Sequence, residues 1–323
     1  MSCPVGGVRH RMTGLGLVEM FVALAVGLLV TLAASALVVN ASANFVHHTE
    51  SARLNDSGRY ALAIIAQSAR QAAFVNWDAA AVPPATLPEA TANISGLDAA
   101  TISRTSSGID EPLANAVNGS DVLALRYAGS GSPDADGSVL NCAGFGIAAA
   151  ATEAQRGWSI FYVAVGGDGV AELRCKYRSA NSWGADAIVR GVDSFQVLYG
   201  LDTDAPPDGV PNRYLNASAV RALDAELLLE GATAAARAQD LNRKTWWKRV
   251  AGIKVGLLLH GAAHSRPGAL PAQYDVLGGA YADGAAEADR GVRIRESLLP
   301  EGQRQRVRRV FETSIALRNP GGA

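Results

Sequence analysis

The stretch from Leu15 to Val39, LGLVEMFVALAVGLLVTLAASALVV, constrains this chain more than any other. It is apolar throughout and carries a single charge, Glu19. About 20 apolar residues in a helix span a bilayer, so the segment is long enough to reside in a membrane. It follows a short basic leader, MSCPVGGVRHRMTG. A lone carboxylate near the start of such a segment is costly to bury and calls for a functional explanation.

A secretory signal peptide is cut after its apolar region, at a small-x-small motif, and Ala33-Ala34-Ser35-Ala36 has that form. Two features oppose this reading. Glu19 interrupts the apolar run near its amino end. The helical pattern also continues past Ala36, through Leu37-Val38-Val39, with neither Pro nor Gly before Gly58.

Gly14-Leu15-Gly16-Leu17-Val18-Glu19 resembles the class III signal of type IV prepilins and pseudopilins. The resemblance implies that a membrane-bound prepilin peptidase cuts between Gly14 and Leu15 and methylates the new amino terminus. Glu19 then becomes the fifth mature residue. The family usually carries Phe where this chain has Leu15. Such a cut retains the anchor and leaves an α-amino group at the membrane face. Glu19 can pair with that amine on a neighbouring subunit, since burying either charge alone is severely unfavourable. The alternative is a carboxylate snorkelling at the interface of an ordinary anchor.

The organisation expected from this start is a leader over residues 1–14, a transmembrane and assembly helix over 15–40, an amphipathic continuation over 41–74, and a periplasmic globular domain over 75–323. Leu54, Ala61, Leu62, Ile65, Ala69 and Ala72 recur at helical spacings and form a stripe suited to packing on a sheet. Asn55-Asp56-Ser57-Gly58 is the expected weak point, where the helix can kink. Residues 75–120 are rich in Ala, Pro, Ser and Thr and predict irregular structure.

Strand patterns begin at Asp121. They cover 121–127, 158–165, 170–178, 192–201, 252–260 and 307–317, with Gly166-Gly167-Asp168-Gly169 as a hairpin turn. A helix is expected over about 218–238. Hairpin-connected strands with helices segregated from them make the fold class α+β, a type IV pilin-like long helix packed on an antiparallel sheet. GRYALAIIAQSARQAAF, GVDSFQVLYGLDTD, GIKVGLLL and the closing RRVFETSIALRNP are similar, in this order, to the minor pilin PilW family.

Three cysteines are present. Cys3 lies in the leader. Cys142 and Cys175 form an even pair in a chain that reads as exported, which points to a disulfide, with two reduced buried thiols as the other reading. The formal net charge of −1 excludes a global field drawing the protein to nucleic acid. The loop from Asp202 to Tyr214 contains a broken D-x-D-x-D-G pattern, in which Ala205-Pro206-Pro207 separates the second and third Asp. No Glu stands at the bidentate final position of a calcium loop. A solvated turn is the favoured reading, and Asp202, Asp204, Asp208 and Asn212 are the ligands available if calcium binds. His260 and His264 have the spacing of a zinc helix but lack its Glu and follow a strand pattern, so a surface loop is expected. Trp246-Trp247-Lys248-Arg249 reads as a packing cluster. Nucleophile elbow, Walker motif and reactive CxxC are all missing, which lowers the prior for an enzyme.

The reading is a non-enzymatic minor pilin without a required cofactor. The resemblance implies that it waits in the inner membrane with its domain in the periplasm, primes pilus assembly, and ends at the fibre tip. The implied partners are other minor pilins, the major pilin, a tip adhesin, the prepilin peptidase, the assembly platform with its extraction ATPase, and inner-membrane lipid, with no nucleic acid bound specifically. Two alternatives stand beside it. One is a minor pseudopilin of type II secretion, of the GspJ kind, and the other is a membrane-anchored periplasmic enzyme or calcium-binding module.

Overall fold

A computed structural model describes residues 16–72, 74–75, 83–179, 182–266 and 270–317. The first element is helix α1, Leu17–Ala72, 56 residues long. After it come β1 (Ile94–Leu97), a small ribbon of β2 (Thr101–Ile102) and β3 (Pro112–Leu113), then β4 (Val122–Tyr127), β5 (Gly157–Val165), β6 (Ala171–Arg178), β7 (Trp183–Arg190) and β8 (Val192–Leu201). The chain continues through β9 (Arg213–Leu215), α2 (Ala217–Ala225), α3 (Ala234–Lys244), β10 (Val250–His260), β11 (Gln273–Asp275), α4 (Gly279–Ala285), β12 (Arg293–Arg295) and β13 (Arg308–Ala316). Two antiparallel sheets result, one in the order β1-β4-β5-β6-β7 and one in the order β13-β10-β8-β9. This is the α+β, pilin-like architecture that the sequence implies.

The chain divides into two units, one ending at Thr49 and one beginning at Glu50. In the second unit, α1 buries Leu54, Gly58, Ala61, Ile65, Ala66, Ser68, Ala69 and Ala72. The steps of three and four between them trace one face of a 3.6-residue helix. Leu62, expected in that stripe, is half-buried at its edge. A single apolar core joins this face to both sheets, through Leu123, Leu125, Phe161 and Val163 of one and Phe195, Val197, Ile253 and Val255 of the other. Asn55-Asp56-Ser57-Gly58 does not interrupt the helix. Gly58 is instead a point of close approach, since a Cβ there would stand 2.5 Å from the Phe311 ring of β13.

Alternate residues of the first sheet face the other way. Val122, Ala124, Ile160, Tyr162 and Ala185 pack under Ala100, Ile102 and Ile109 from the β1–β4 connection. Lys176 is fully buried there and donates to the carbonyls of Ser103 (2.9 Å) and Gly108 (3.0 Å), which fastens that connection. On the second sheet, Leu198 and Leu258 are covered by the segment from β11 to β12. All ten residues of β8 are buried, with Asp193, Ser194 and Gln196 among them.

Two residues join the sheets. Gly191 is the single residue between β7 and β8; its φ is +78°, and its Cα lies against the His260 carbonyl, where a Cβ would come within 2.7 Å. Asp121, just before β4, is buried; its carboxylate accepts N–H bonds from Val197 of β8 (2.9 Å) and Ala99 (3.1 Å). Burial, with Asp98 nearby, pushes its pKa well above the usual carboxylate range.

One expectation needs amending, and some strands lie outside the expected set. The helix expected over 218–238 is two helices, because the chain turns at Gly231 (φ +134°) and the Asp240 carboxylate accepts from the Glu230 N–H. Strand β7, WGADAIVR, lacks an alternating pattern and is held by pairing with β6. The described residues between 83 and 120 are mostly irregular, as expected, and supply β1 at the edge of the first sheet.

Cys142 and Cys175 form a disulfide, with Cα atoms 5.8 Å apart. It ties the loop after β4 to β6 across 33 residues, and a closed loop of that size contributes about 4 kcal/mol in the chain-entropy model.

Two measurements check this packing. Gly58→Val forces two methyls against Phe311 and is expected to destabilise the domain by about 1–3 kcal/mol, read as a lower Tm in detergent; an unchanged Tm contradicts the close contact. Non-reducing peptide mapping of exported protein is expected to find Cys142 joined to Cys175, and Cys142→Ser is expected to cost about 2–5 kcal/mol.

Candidate functional site

The amino-terminal half of α1 differs from the rest of the molecule in what it leaves uncovered. Sixteen large apolar side chains between Leu17 and Val46 are exposed. Holding that surface in water costs on the order of 20 kcal/mol, more than the roughly 5–15 kcal/mol that stabilises a typical domain. The segment is long and apolar enough to cross a membrane. Polar groups within it are satisfied locally. Thr31 Oγ1 bonds the carbonyls of Gly27 (3.0 Å) and Leu28 (2.9 Å), as a hydroxyl in an apolar medium must.

Glu19 sits in the first turn of α1. Its Oε2 accepts the Gly16 N–H at 3.0 Å. A carboxylate here satisfies a helix-end donor that has no partner inside the helix and lies at the positive end of the helix dipole. The same geometry holds the carboxyl group within reach of the chain just ahead of the helix. The proposed cleavage residues Gly14 and Leu15 lie outside the described residues.

At Glu50 the helix enters the second unit. The Glu50 carboxylate accepts from Arg53 (2.9 Å) and from the Ala262 N–H (2.9 Å), and the loop after β10 is thereby pinned to the helix. The Arg53 hydrogen bond holds its pKa below the usual range; partial burial opposes this and the Ala262 N–H adds to it.

The acidic loop after β8 brings Asp202, Asp204 and Asp208 together, with oxygens from the three within 4.8 Å of one another. Each carboxylate already accepts a hydrogen bond. Asp202 accepts from the N–H groups of Gly209 (2.6 Å) and Asp204 (3.1 Å), Asp208 from Val210 N–H (2.8 Å), and Asp204 from the Asn212 amide (3.0 Å). The Asn212 side-chain oxygen in turn accepts from Thr203 N–H (2.7 Å). These bonds, that of Gly209 first, hold the Asp202 carboxyl below the usual range. The loop is closed on itself by its own side chains.

His260 ends β10 and His264 lies in the following loop at φ +57°, so no helix presents them together. Trp247 is buried and stacks edge-to-face on Tyr199 at 4.8 Å, a packing role. Sequence reasoning missed an arginine and aromatic cluster on the first sheet, around Arg126, Arg156 and Trp158. Arg126 is distant in the chain from Arg156 and Trp158, and strand pairing together with the segment just before β1 brings them together.

Neither curated proteins nor solved structures give a match to this chain. The family model of type IV pilus-assembly protein W (PilW) matches residues 160–319. That stretch carries most of β5, all of β6 to β13, Cys175 and the acidic loop; α1 precedes it, and its reading rests on its own residues. With the long apolar helix and the antiparallel sheets behind it, the match makes this chain a PilW-family type IV pilus protein, with a role in pilus assembly.

Proposed function

We propose that this chain is a minor pilin that primes type IV pilus assembly and sits in a complex at the fibre tip. The observation that carries the reading is the division of one continuous helix into an uncovered apolar half with a carboxylate in its first turn and a half built into a domain core. An apolar helix of this kind has two low-energy environments, lipid and a bundle of similar helices. Transfer between them loses little hydrophobic stabilisation, so packing between helices decides the outcome.

In this reading, prepilin peptidase cuts between Gly14 and Leu15. Glu19 then pairs with the α-amino group of an adjacent subunit, exchanging its own Gly16 N–H for a charged partner. The domain faces the periplasm before assembly. Partners are the major pilin, other minor pilins and a tip adhesin. Function is by packing rather than catalysis, and the acidic loop serves as a turn that needs no calcium, in keeping with its internal hydrogen bonds. The family's description favours the pilus over a type II secretion machine.

Glu19→Ala tests the assembly role. The variant is expected to be made, trimmed and membrane-bound like the parent, with most surface fibres lost in cells that rely on it. Wild-type fibre numbers with the variant as sole copy contradict the pairing role.

A further inference from the structure

The first sheet carries, at the strand ends where β5 starts and β6 finishes, a cleft that the pilin reading does not use. It consists of two hollows, of about 670 and 410 Å³, that share Trp158 and Arg178. Phe145 and Tyr177 wall the larger one, with ring centroids 5.2 Å apart. Trp183 walls the smaller one and meets Trp158 edge-on at 5.8 Å. Among the described residues lining the two hollows none is acidic.

Cationic groups outnumber acids here, although the Tyr177 hydroxyl on the aromatic wall donates to the Asp186 carboxylate at 2.9 Å. Arg178 is exposed, donates one N–H to the Ala154 carbonyl, and has no carboxylate partner among the described residues. Below it, Arg156 is fully buried and Arg126 nearly so. The two share one carboxylate, Glu153, at 3.0 and 2.5 Å. Two guanidinium groups against one anion leave a buried excess of positive charge. Both arginines keep an Nε without a partner, and Glu153 keeps one oxygen likewise. Uncompensated charge beneath a low-dielectric cleft focuses its field into the opening.

We propose that this cleft binds an anionic saccharide, with the carboxylate or sulfate on Arg178 and the C–H face of the sugar ring on the wall formed by Phe145 and Tyr177. The volumes fall in the range of small-ligand sites. Phe145 is 56% exposed and offers apolar ring surface at the rim. A neutral ligand leaves the cationic floor unanswered. Single-stranded nucleic acid needs a succession of open ring faces, and here one face of Trp158 is already covered by the Arg126 guanidinium at 4.6 Å.

The test is calorimetric titration of the full processed chain in detergent micelles. The probes are a galacturonate tetramer, its methyl ester, a heparin-derived tetrasaccharide and oligothymidylate. One or both anionic saccharides are expected to bind, and the galacturonate tetramer, if it is the one, at least about tenfold more tightly than its ester, a difference of about 1.4 kcal/mol. Arg178→Gln and Phe145→Ala, both at exposed positions, are expected to keep the parent Tm and weaken binding by about tenfold or more. The proposal is overturned if neither anionic saccharide binds, if the galacturonate tetramer binds and its ester binds as tightly, if oligothymidylate binds more tightly than both anionic saccharides, or if Arg178→Gln binds as the parent does.

Discussion

The close seating of the second half of α1 on the sheets is the contact on which the rest depends. Gly58, Ala61, Ala66, Ser68, Ala69 and Ala72 are small, and only Leu54 and Ile65 add bulk to that face. Small residues let the helix backbone lie near the strands, so that Phe311 of β13 rests directly against Gly58. One apolar core then serves helix and both sheets together. Because the same helix continues into the uncovered apolar segment, the element that carries the core also carries the stretch long and apolar enough to cross a membrane.

The domain invests polar groups where strands alone do not determine the arrangement. Asp121 reaches from the start of β4 to the backbone of β8 and Gly191 lets the chain pass from one sheet to the next in a single residue. Lys176 holds the β1–β4 connection over the outer face of the first sheet. A buried lysine or aspartate is expensive without partners, and each of these has several. The Arg126–Arg156–Glu153 group likewise ties the chain before β1 to β4 and to the start of β5, and it leaves one positive charge unmatched.

Much of this arrangement is legible in the amino-acid sequence. The apolar run, the helical stripe after it, the Gly-rich hairpin and the apolar strands 192–201 and 252–260 each carry a periodicity or turn chemistry that local physics dictates. Other features do not announce themselves. Strand β7 contains Gly184, Ala185, Asp186 and Ala187, whose own preferences do not specify a strand, and it forms because β6 offers an edge. Gly58 reads as a break in a sequence and proves to be a contact, because its partner Phe311 lies more than 250 residues away. The cationic cleft is assembled from segments spread between Ser107 and Trp183, and no short window of sequence contains it. Gathering of the three aspartates is visible in the motif, whereas their satisfaction by the loop's own N–H groups depends on backbone geometry.

The central claim is that the apolar half of α1 stays with the mature protein. Amino-terminal sequencing of the protein extracted from membranes tests it most directly. The account predicts a mature chain that begins at Leu15, with its apolar segment intact; a mature chain that begins beyond Val39 contradicts it.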